Sequence, residues 1–425
     1  MTNQLKSHSK GKSLDEWLSY LESIHNTEID LGLERIGKVA KALSLDLSTS
    51  VVITVAGTNG KGTTCAFMEN AIRQLGKSVA VYSSPHIERF TERLRVNFKE
   101  VDDRSFVQAF EQIEKARKEI SLTYYEYTTL AAFLILEHLK PEYIILEVGL
   151  GGRLDATNLI DSNIAAITSV DLDHQAFLGD TRELIGFEKA GVFRKNCPAV
   201  VGDIEPPQSV LKHVENIESQ LCLRGRDFSI AESNNEWSYS FKSHEYHHLP
   251  FPNIPLDNVA TALTVLNLLE LPLTEDLVKT VILETKVPGR TELFTLPCHT
   301  LVDVGHNPLA ARYLARYIES MKVTSVKAVV GMLSDKDISS TLHAIQPIVN
   351  EWYFASLDVP RGATAEHLAG MINVGNSKIN CFDKVIDAYK MACNNIAATE
   401  LVLVFGSFFT VAEIRPLLIE NNTLD

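Results

Sequence analysis

The six cysteines (Cys65, Cys197, Cys222, Cys298, Cys381 and Cys393) include no CxxC pair, which argues against a zinc site or a disulfide framework and for reduced thiols. No apolar run reaches the roughly 18 residues of a membrane helix. The opening MTNQLKSHSKGK also lacks the apolar stretch of a signal peptide. A soluble, cytoplasmic protein is expected. Basic excess is missing too: 40 Lys and Arg against 54 Asp and Glu leave a formal charge of −14. Neither a nucleic-acid backbone nor an anionic membrane is then the expected main partner, and an anionic substrate must be met by locally placed cations. Short-period repeats and low-complexity tracts are absent.

What remains is an ordinary globular composition. With 425 residues, 45% hydrophobic and 22% charged, the chain can build two or three domains with their own cores. Its most informative stretch is VVITVAGTNGKGTT, residues 51–64, where an apolar strand runs into a glycine-rich loop bearing Lys61 and then a helix. Backbone N–H groups of such a turn and the positive helix end surround phosphate oxygens, and the lysine adds a compact charge. The usual Walker A spelling is lacking. Val55 stands where that pattern has its first glycine, and Gly62 follows the lysine with Thr63 one place later. This points away from common kinases and GTPases.

Periodicity predicts helix over Ser13 to Leu43 (Leu14, Trp17, Leu18 and Leu21 at three- and four-residue spacing), then strand Val51 to Val55. The helix after the loop carries Phe67, Met68, Ala71, Ile72 and Leu75 on one stripe and stops at Gly76. Strand Ser78 to Tyr82 follows, then a half-exposed strand at 92–98 and helices at 104–118 and 128–139. The runs Tyr143 to Val148 and Ile164 to Thr168 complete an alternation typical of a doubly wound, mostly parallel α/β sheet. That class binds ligands beyond the strand carboxyl ends. The Gly57 loop, Ser83 with Ser84, Glu147, and Asp171, Asp173 and His174 each follow one strand, so four strand ends bring polar chemistry to one rim. Residues 202–257 read as strands and loops, and a helix at about 257–270 closes the first domain. Lys286 to Arg290 is a connector. A smaller Rossmann-like α/β domain then runs through strand Thr300 to Val304, helix 308–321, strands Lys327 to Met332 and Trp352 to Ala355, helix 382–396, strand Leu401 to Phe405 and a last helix from about 410.

The ordered motifs AGTNGKGTT, EVGLGGRLDATN (147–158), EKAGVF (188–193), PGR (288–290) and DVGHNP (303–308) resemble the folylpolyglutamate synthase and dihydrofolate synthase family of Mur-type ligases. The likeness spans nearly the whole chain, and DLGL (30–33) with LTYYEY (122–127) looks like the bifunctional bacterial form. It implies an ATP-binding central domain with a pterin site (1–290) and a C-terminal domain giving nucleotide and glutamate contacts (291–425). It also implies ATP, two Mg²⁺ ions, small-molecule substrates (dihydropteroate, reduced folates, L-glutamate) and a monomer. Departures from the family pattern are Gly305 for an alanine and Phe409 for a histidine.

By that resemblance Thr58, Asn59, Gly60 and Lys61 form the ATP loop, and Ser84, Glu147 and His174 are metal positions. A carboxylate ending the apolar run YIIL has an independent argument, because desolvation there calls for a cation. Lys189 matches a carbamylated lysine supporting the second metal, although the residues alone show only a lysine on an amphipathic helix. Asn258, Arg290 and Asp303 match adenine, phosphate and ribose contacts. Asp30, Leu31, Gly32, Leu33, Thr123, Tyr124, Tyr125, Glu126, Leu154, Asp155 and Ala156 match dihydropteroate contacts, against a plain reading of the aromatics as core. His306 and Ser407 match the glutamate site, and Lys61, Lys189 and His306 are the catalytic candidates. Two rivals stand beside this reading. A peptidoglycan Mur ligase would need an added domain for its sugar carrier, and a nucleotide switch would use ATP without forming a bond.

Overall fold

The computed structural model describes residues 11–27, 29–233, 235–372 and 378–422, and the polar start at 1–10 lies outside them. The chain divides into two compact units. The first comprises the described chain up to Leu172 with Leu178–Pro252 and Leu256–Glu284; the second comprises Asp173–Phe177, Asn253–Pro255 and everything from Thr285.

The first unit is built on eight strands: β1 (Val51–Ala56), β2 (Val79–Tyr82), β3 (Leu94–Val96), β4 (Lys99–Glu100), β5 (Tyr143–Glu147), β6 (Ile164–Ile167), β7 (Pro198–Val201) and β8 (Gln220–Leu223). Their order is β4-β3-β2-β5-β1-β6-β7-β8, parallel from β2 to β8, with β3 and β4 antiparallel at one edge. β1 therefore lies between β5 and β6, where the strand order changes direction and ligands gather in such sheets. Continuous apolar runs make these central strands, because helices cover both faces. One core holds Trp17, Phe106, Phe110, Tyr127 and Phe133, and the other Ile167, Ile185, Val192 and Val210.

Local sequence sets several boundaries differently from the periodicity. The long first helix is two, Leu14–Ser23 and Glu34–Leu43, because DLGL forms the link between them. The helix expected from 128 starts at Tyr124, where Thr123 and Glu126 form a capping box. Residues 202–257 hold the helix Gln208–Asn216 and a separate antiparallel sheet of β9 (Phe228–Glu232), β10 (Trp237–Phe241) and β11 (His244–Leu249), where only strands and loops were expected. Helix Leu256–Leu268 lies along helix Lys61–Gln74.

The second unit carries β12 (Glu292–Phe294), β13 (Thr300–Asp303), β14 (Ser325–Val330), β15 (Glu351–Ala355), β16 (Lys378–Phe382) and β17 (Glu400–Phe405), ordered β12-β13-β17-β14-β15-β16. Only β12 is antiparallel. The expected helix at 382–396 is shorter, Val385–Cys393, because β16 occupies residues up to Phe382. The six cysteines are free thiols, and Cys298 and Cys393 lie Sγ to Sγ at 2.8 Å.

Phe110 is fully buried, with the rings of Trp17 and Tyr127 each 5.7 Å away and those of Phe90 and Phe106 at 6.2 Å. Phe110→Ala leaves a cavity that these four rings cannot fill together. It should lower the unfolding free energy by about 3–5 kcal/mol in urea, with the m-value unchanged.

Candidate active site

The loop after β1 works because two of its residues have no side chain. Gly57 has φ +148°, and a Cβ there would collide with the Thr168 hydroxyl; Gly60, φ +87°, would collide with the Asn258 amide. The loop is pinned to the end of β6. Thr58 N–H donates to Ser169 O at 2.8 Å, the Thr58 hydroxyl to Asp171 O at 3.0 Å, and the Thr168 hydroxyl to Asn59 O at 2.5 Å. Lys61 Nζ folds back onto Gly57 O at 3.0 Å and Thr58 O at 3.4 Å. At the start of helix Lys61–Gln74 the N–H groups of Gly62 and Thr63 have no acceptor within the helix. Asn258 does not cap its own helix: its Nδ2 donates to Thr63 Oγ1 at 2.8 Å, so its amide backs the phosphate loop.

Register brings Glu147 to the same place. Val55 pairs with Glu147 across β1 and β5, and the carboxylate oxygens stand 3.5 and 3.7 Å from where a Cβ on Gly62 would be. Glu147 is 8% exposed. Burial and then this nearby negative charge push the Cys65 thiol well up. Ser84 follows β2 and hydrogen-bonds Tyr125. Among the described residues no three His, Cys, Asp or Glu side chains form a metal cage. A buried carboxylate and a hydroxyl beside the glycine loop nonetheless suit Mg²⁺, which keeps several waters and takes few protein oxygens. Lys189 is buried, so it is not a snorkelling surface lysine, and its carbonyl lies where Gly152 leaves no room for a Cβ.

Two of the three segments matched to a pterin acid, 30–33 and 123–126, are tied together by one arginine. Arg35 Nη1 pairs with Asp30 at 2.6 Å and Arg35 Nη2 with Glu126 at 3.2 Å, while His25 lies 3.3 Å from Asp30. Leu31 packs on one core and Leu33 on the other. Tyr127 is core, but Tyr124 and Tyr125 are half-buried at the helix start. The Tyr125 ring lies parallel to Tyr82 at 6.4 Å, and its hydroxyl donates to Asp155 Oδ1 at 3.3 Å. Asp155 also accepts from Leu150 N–H, Thr157 N–H and the Thr157 hydroxyl, and burial pushes its carboxyl up against those donors. Leu154 and Ala156 flank it.

In the second unit Asp303 ends β13 and accepts from Thr291 N–H at 2.8 Å and Gly305 N–H at 2.7 Å; burial raises its carboxyl and Arg290 opposes that. Arg290 stacks over Phe408 at 5.6 Å. A Cβ at Gly305 would stand 2.8 Å from Asp303 Oδ1 and 2.9 Å from Ala310 Cβ, so the alanine usual in the resembled family does not fit this packing. Phe409 is exposed. The Ser407 hydroxyl is taken up by Thr410, at 2.7 Å from Oγ1 and 3.0 Å from N. His306 shares its Nδ1 hydrogen with Val304 O at 2.9 Å, and burial with Lys336 lowers it to about 4, so at neutral pH its Nε2 carries a lone pair. His174 groups with this unit, where Lys336 Nζ lies 3.2 Å from its Nε2.

Lys336 is the residue that sequence reading missed. Its buried ammonium also pairs with Asp173 at 2.9 Å, and Asp173 is further approached by Asn307 Nδ2 at 3.3 Å and His306 Nε2 at 3.8 Å. Although burial works the other way, the Lys336 charge and its hydrogen bond hold Asp173 well below the usual carboxylate range. The signal was the run GMLSDKD directly after β14, a charged cluster at a strand carboxyl end. Arg35 was missed for the opposite reason, since one arginine on a polar helix face looks like surface charge.

Comparison with known proteins covers nearly the whole chain. Residues 55–249 match the Mur ligase middle domain, and residues 289–408 match the Mur ligase glutamate ligase domain. The chain is 43% identical over 406 residues to the dihydrofolate synthase/folylpolyglutamate synthase of Escherichia coli (strain K12), covering 95% of each chain. It is 41% identical to the protein of that name from Haemophilus influenzae, covering 96% of this chain and 98% of the other. The solved structure of E. coli FolC in complex with DHPP and ADP superposes with a TM-score of 0.93 at 42% identity, covering 97% of this chain and 99% of that one. A bifunctional folylpolyglutamate synthase/dihydrofolate synthase solved with Mn, AMPPNP and L-glutamate gives 0.89 at 44%, covering 96% and 98%.

Gly60→Ala combines left-handed strain with displacement of Asn258. It should weaken ATP binding about 10-fold or more by calorimetry, the equivalent of at least about 1.4 kcal/mol. Gly37→Ala, in a helix where only Leu159 comes within 4 Å of an added Cβ, should leave ATP affinity unchanged.

Proposed function

The chain belongs to the dihydrofolate synthase/folylpolyglutamate synthase family, and from that premise we propose how its residues divide the work of joining L-glutamate to dihydropteroate and to folates at the expense of ATP. The γ-phosphoryl of ATP passes to the substrate carboxylate, the amine of glutamate attacks the resulting acyl phosphate, and ADP and phosphate leave. The carboxylate is already ionised at neutral pH. No base is needed for the first step, so catalysis rests on alignment and on neutralising charge. The observation that carries the reading is the Gly57 to Lys61 loop set beside the buried Glu147 carboxylate by the β1–β5 register.

The chain of roles follows from chemistry at each position. Gly62 and Thr63 N–H groups and Lys61 receive the phosphates, while Asn258 buttresses the loop and meets the base. Ser84, Glu147 and His174 are the positions proposed to hold divalent metal. When bound, Mg²⁺ supplies charge neutralisation at the phosphates. Lys189 is proposed to act as its carbamate, whose oxygens would suit a second ion better than an ammonium does. Asp155 accepts pterin N–H groups, and Tyr124 and Tyr125 offer apolar ring faces to a flat ligand. Arg290, at the end of the connector, and Asp303 are proposed to meet the nucleotide, and His306 and Ser407 the incoming glutamate. The Nε2 lone pair of His306 can accept a hydrogen from the amine that must attack. The working form is proposed to be a cytoplasmic monomer.

With Mg·ATP and glutamate, mass spectrometry should show one glutamyl unit added to dihydropteroate and several to tetrahydrofolate, with ADP released only when acid and glutamate are both present. ADP release without either substrate would indicate a nucleotide switch instead. Lys189→Ala should lose turnover about 100-fold or more, given the cost of removing a group that supports the metal. A small added carboxylate should restore part of it. Unchanged turnover in that variant would remove the carbamate from the account.

A further inference from the structure

Arg93 has no role above, yet it is a buried cation of the first unit with no carboxylate paired to it among the described residues. It is 9% exposed and lies against two rings, Tyr124 at 5.3 Å and Phe90 at 5.6 Å. Its Nε donates to His86 Nδ1 at 2.9 Å. Burial and the arginine itself lower His86 to about 4, so that ring is a neutral acceptor and does not cancel the guanidinium charge. Among the described residues no carboxylate pairs with Arg93, whereas Arg95, two positions on, pairs with buried Glu69 at 2.9 Å. The two Nη nitrogens of Arg93 make no hydrogen bond to described residues, and neither is among the sealed, unpartnered polar atoms, so the fork meets solvent-accessible space.

Three features say what that space receives. One of these rings, Tyr124, flanks the proposed pterin slot together with Tyr125, and the positive charge of Arg93 is felt at the hydroxyls of Tyr82, Tyr124 and Tyr125. The Arg93 carbonyl accepts Ser83 N–H at 2.9 Å, which ties the arginine to the strand end carrying Ser84. A planar guanidinium lying against two aromatic rings, with two donors open, matches a carboxylate bidentately, and a buried charge without a protein counter-ion is costly unless such an anion arrives.

We propose that Arg93 binds the carboxylate of the pterin-linked aryl acid through Nη1 and Nη2, and so selects acids for activation at the Ser84 end of the slot. This rests on the slot being the pterin site. The test compares dihydropteroate with its decarboxylated counterpart, which keeps the pterin and aniline rings, by calorimetry on the full chain with a non-hydrolysable ATP analogue. Wild type should favour the acid by about 10-fold or more, as expected for charge-assisted hydrogen bonds. Arg93→Met should erase that preference while ATP affinity stays unchanged, and Arg93→Lys should reduce it about 3-fold or more by losing the fork. Equal weakening of both ligands, or a preference that survives, would overturn the proposal. If Arg93→Met does not fold, Arg93→Lys decides by the same comparison. Failure of wild type to bind either pterin compound would instead refute the slot, leaving the two failures distinguishable.

Discussion

An acidic chain that handles polyphosphate must concentrate donors and cations at one point, and the register of β1 between β5 and β6 is what does so. The parallel pairing of Val55 with Glu147 and of Ala56 with Ile167 fixes where the Gly57 loop leaves the sheet and what it meets. On one side stands the Glu147 carboxylate, and on the other the hydroxyls of Thr168 and Ser169. A slip of one residue would turn Glu147 to the other face and place an apolar side chain against the loop. The β1–β5 ladder is thus the element on which the proposed nucleotide site depends.

Buried charge recurs through the molecule, and each case is settled by its own neighbours. Asp155 and Asp303 are held by backbone N–H groups and hydroxyls. Asp173 is held by Lys336, and Glu69 by Arg95. Those donors offset much of the desolvation cost, which would otherwise protonate a carboxylate or leave it strongly destabilising. Arg93 differs in kind, because it lies against aromatic rings with no carboxylate paired to it among the described residues.

Much of the site was legible because the chemistry sits in short continuous motifs. A glycine loop after an apolar strand and a carboxylate ending an apolar run each show in a few residues, and both lie at strand ends as read. Helix limits were less legible. DLGL interrupts a periodic stretch without a proline, and the capping box at Thr123 begins a helix inside a run whose apolar period starts later. The pairings of Arg35 with Glu126 and of Lys336 with Asp173 could not be read, because these partners lie 91 and 163 residues away in sequence.

By itself the sequence determined the class of sheet, the phosphate loop and the family, since hydrophobic period, glycine placement and ordered motifs are local properties that need no partner. Tertiary structure decided which charged side chains are paired and which are buried. Whether a lysine or arginine is solvated, paired or left facing a ligand depends on desolvation and on neighbours supplied by distant segments, and only the folded chain brings those together.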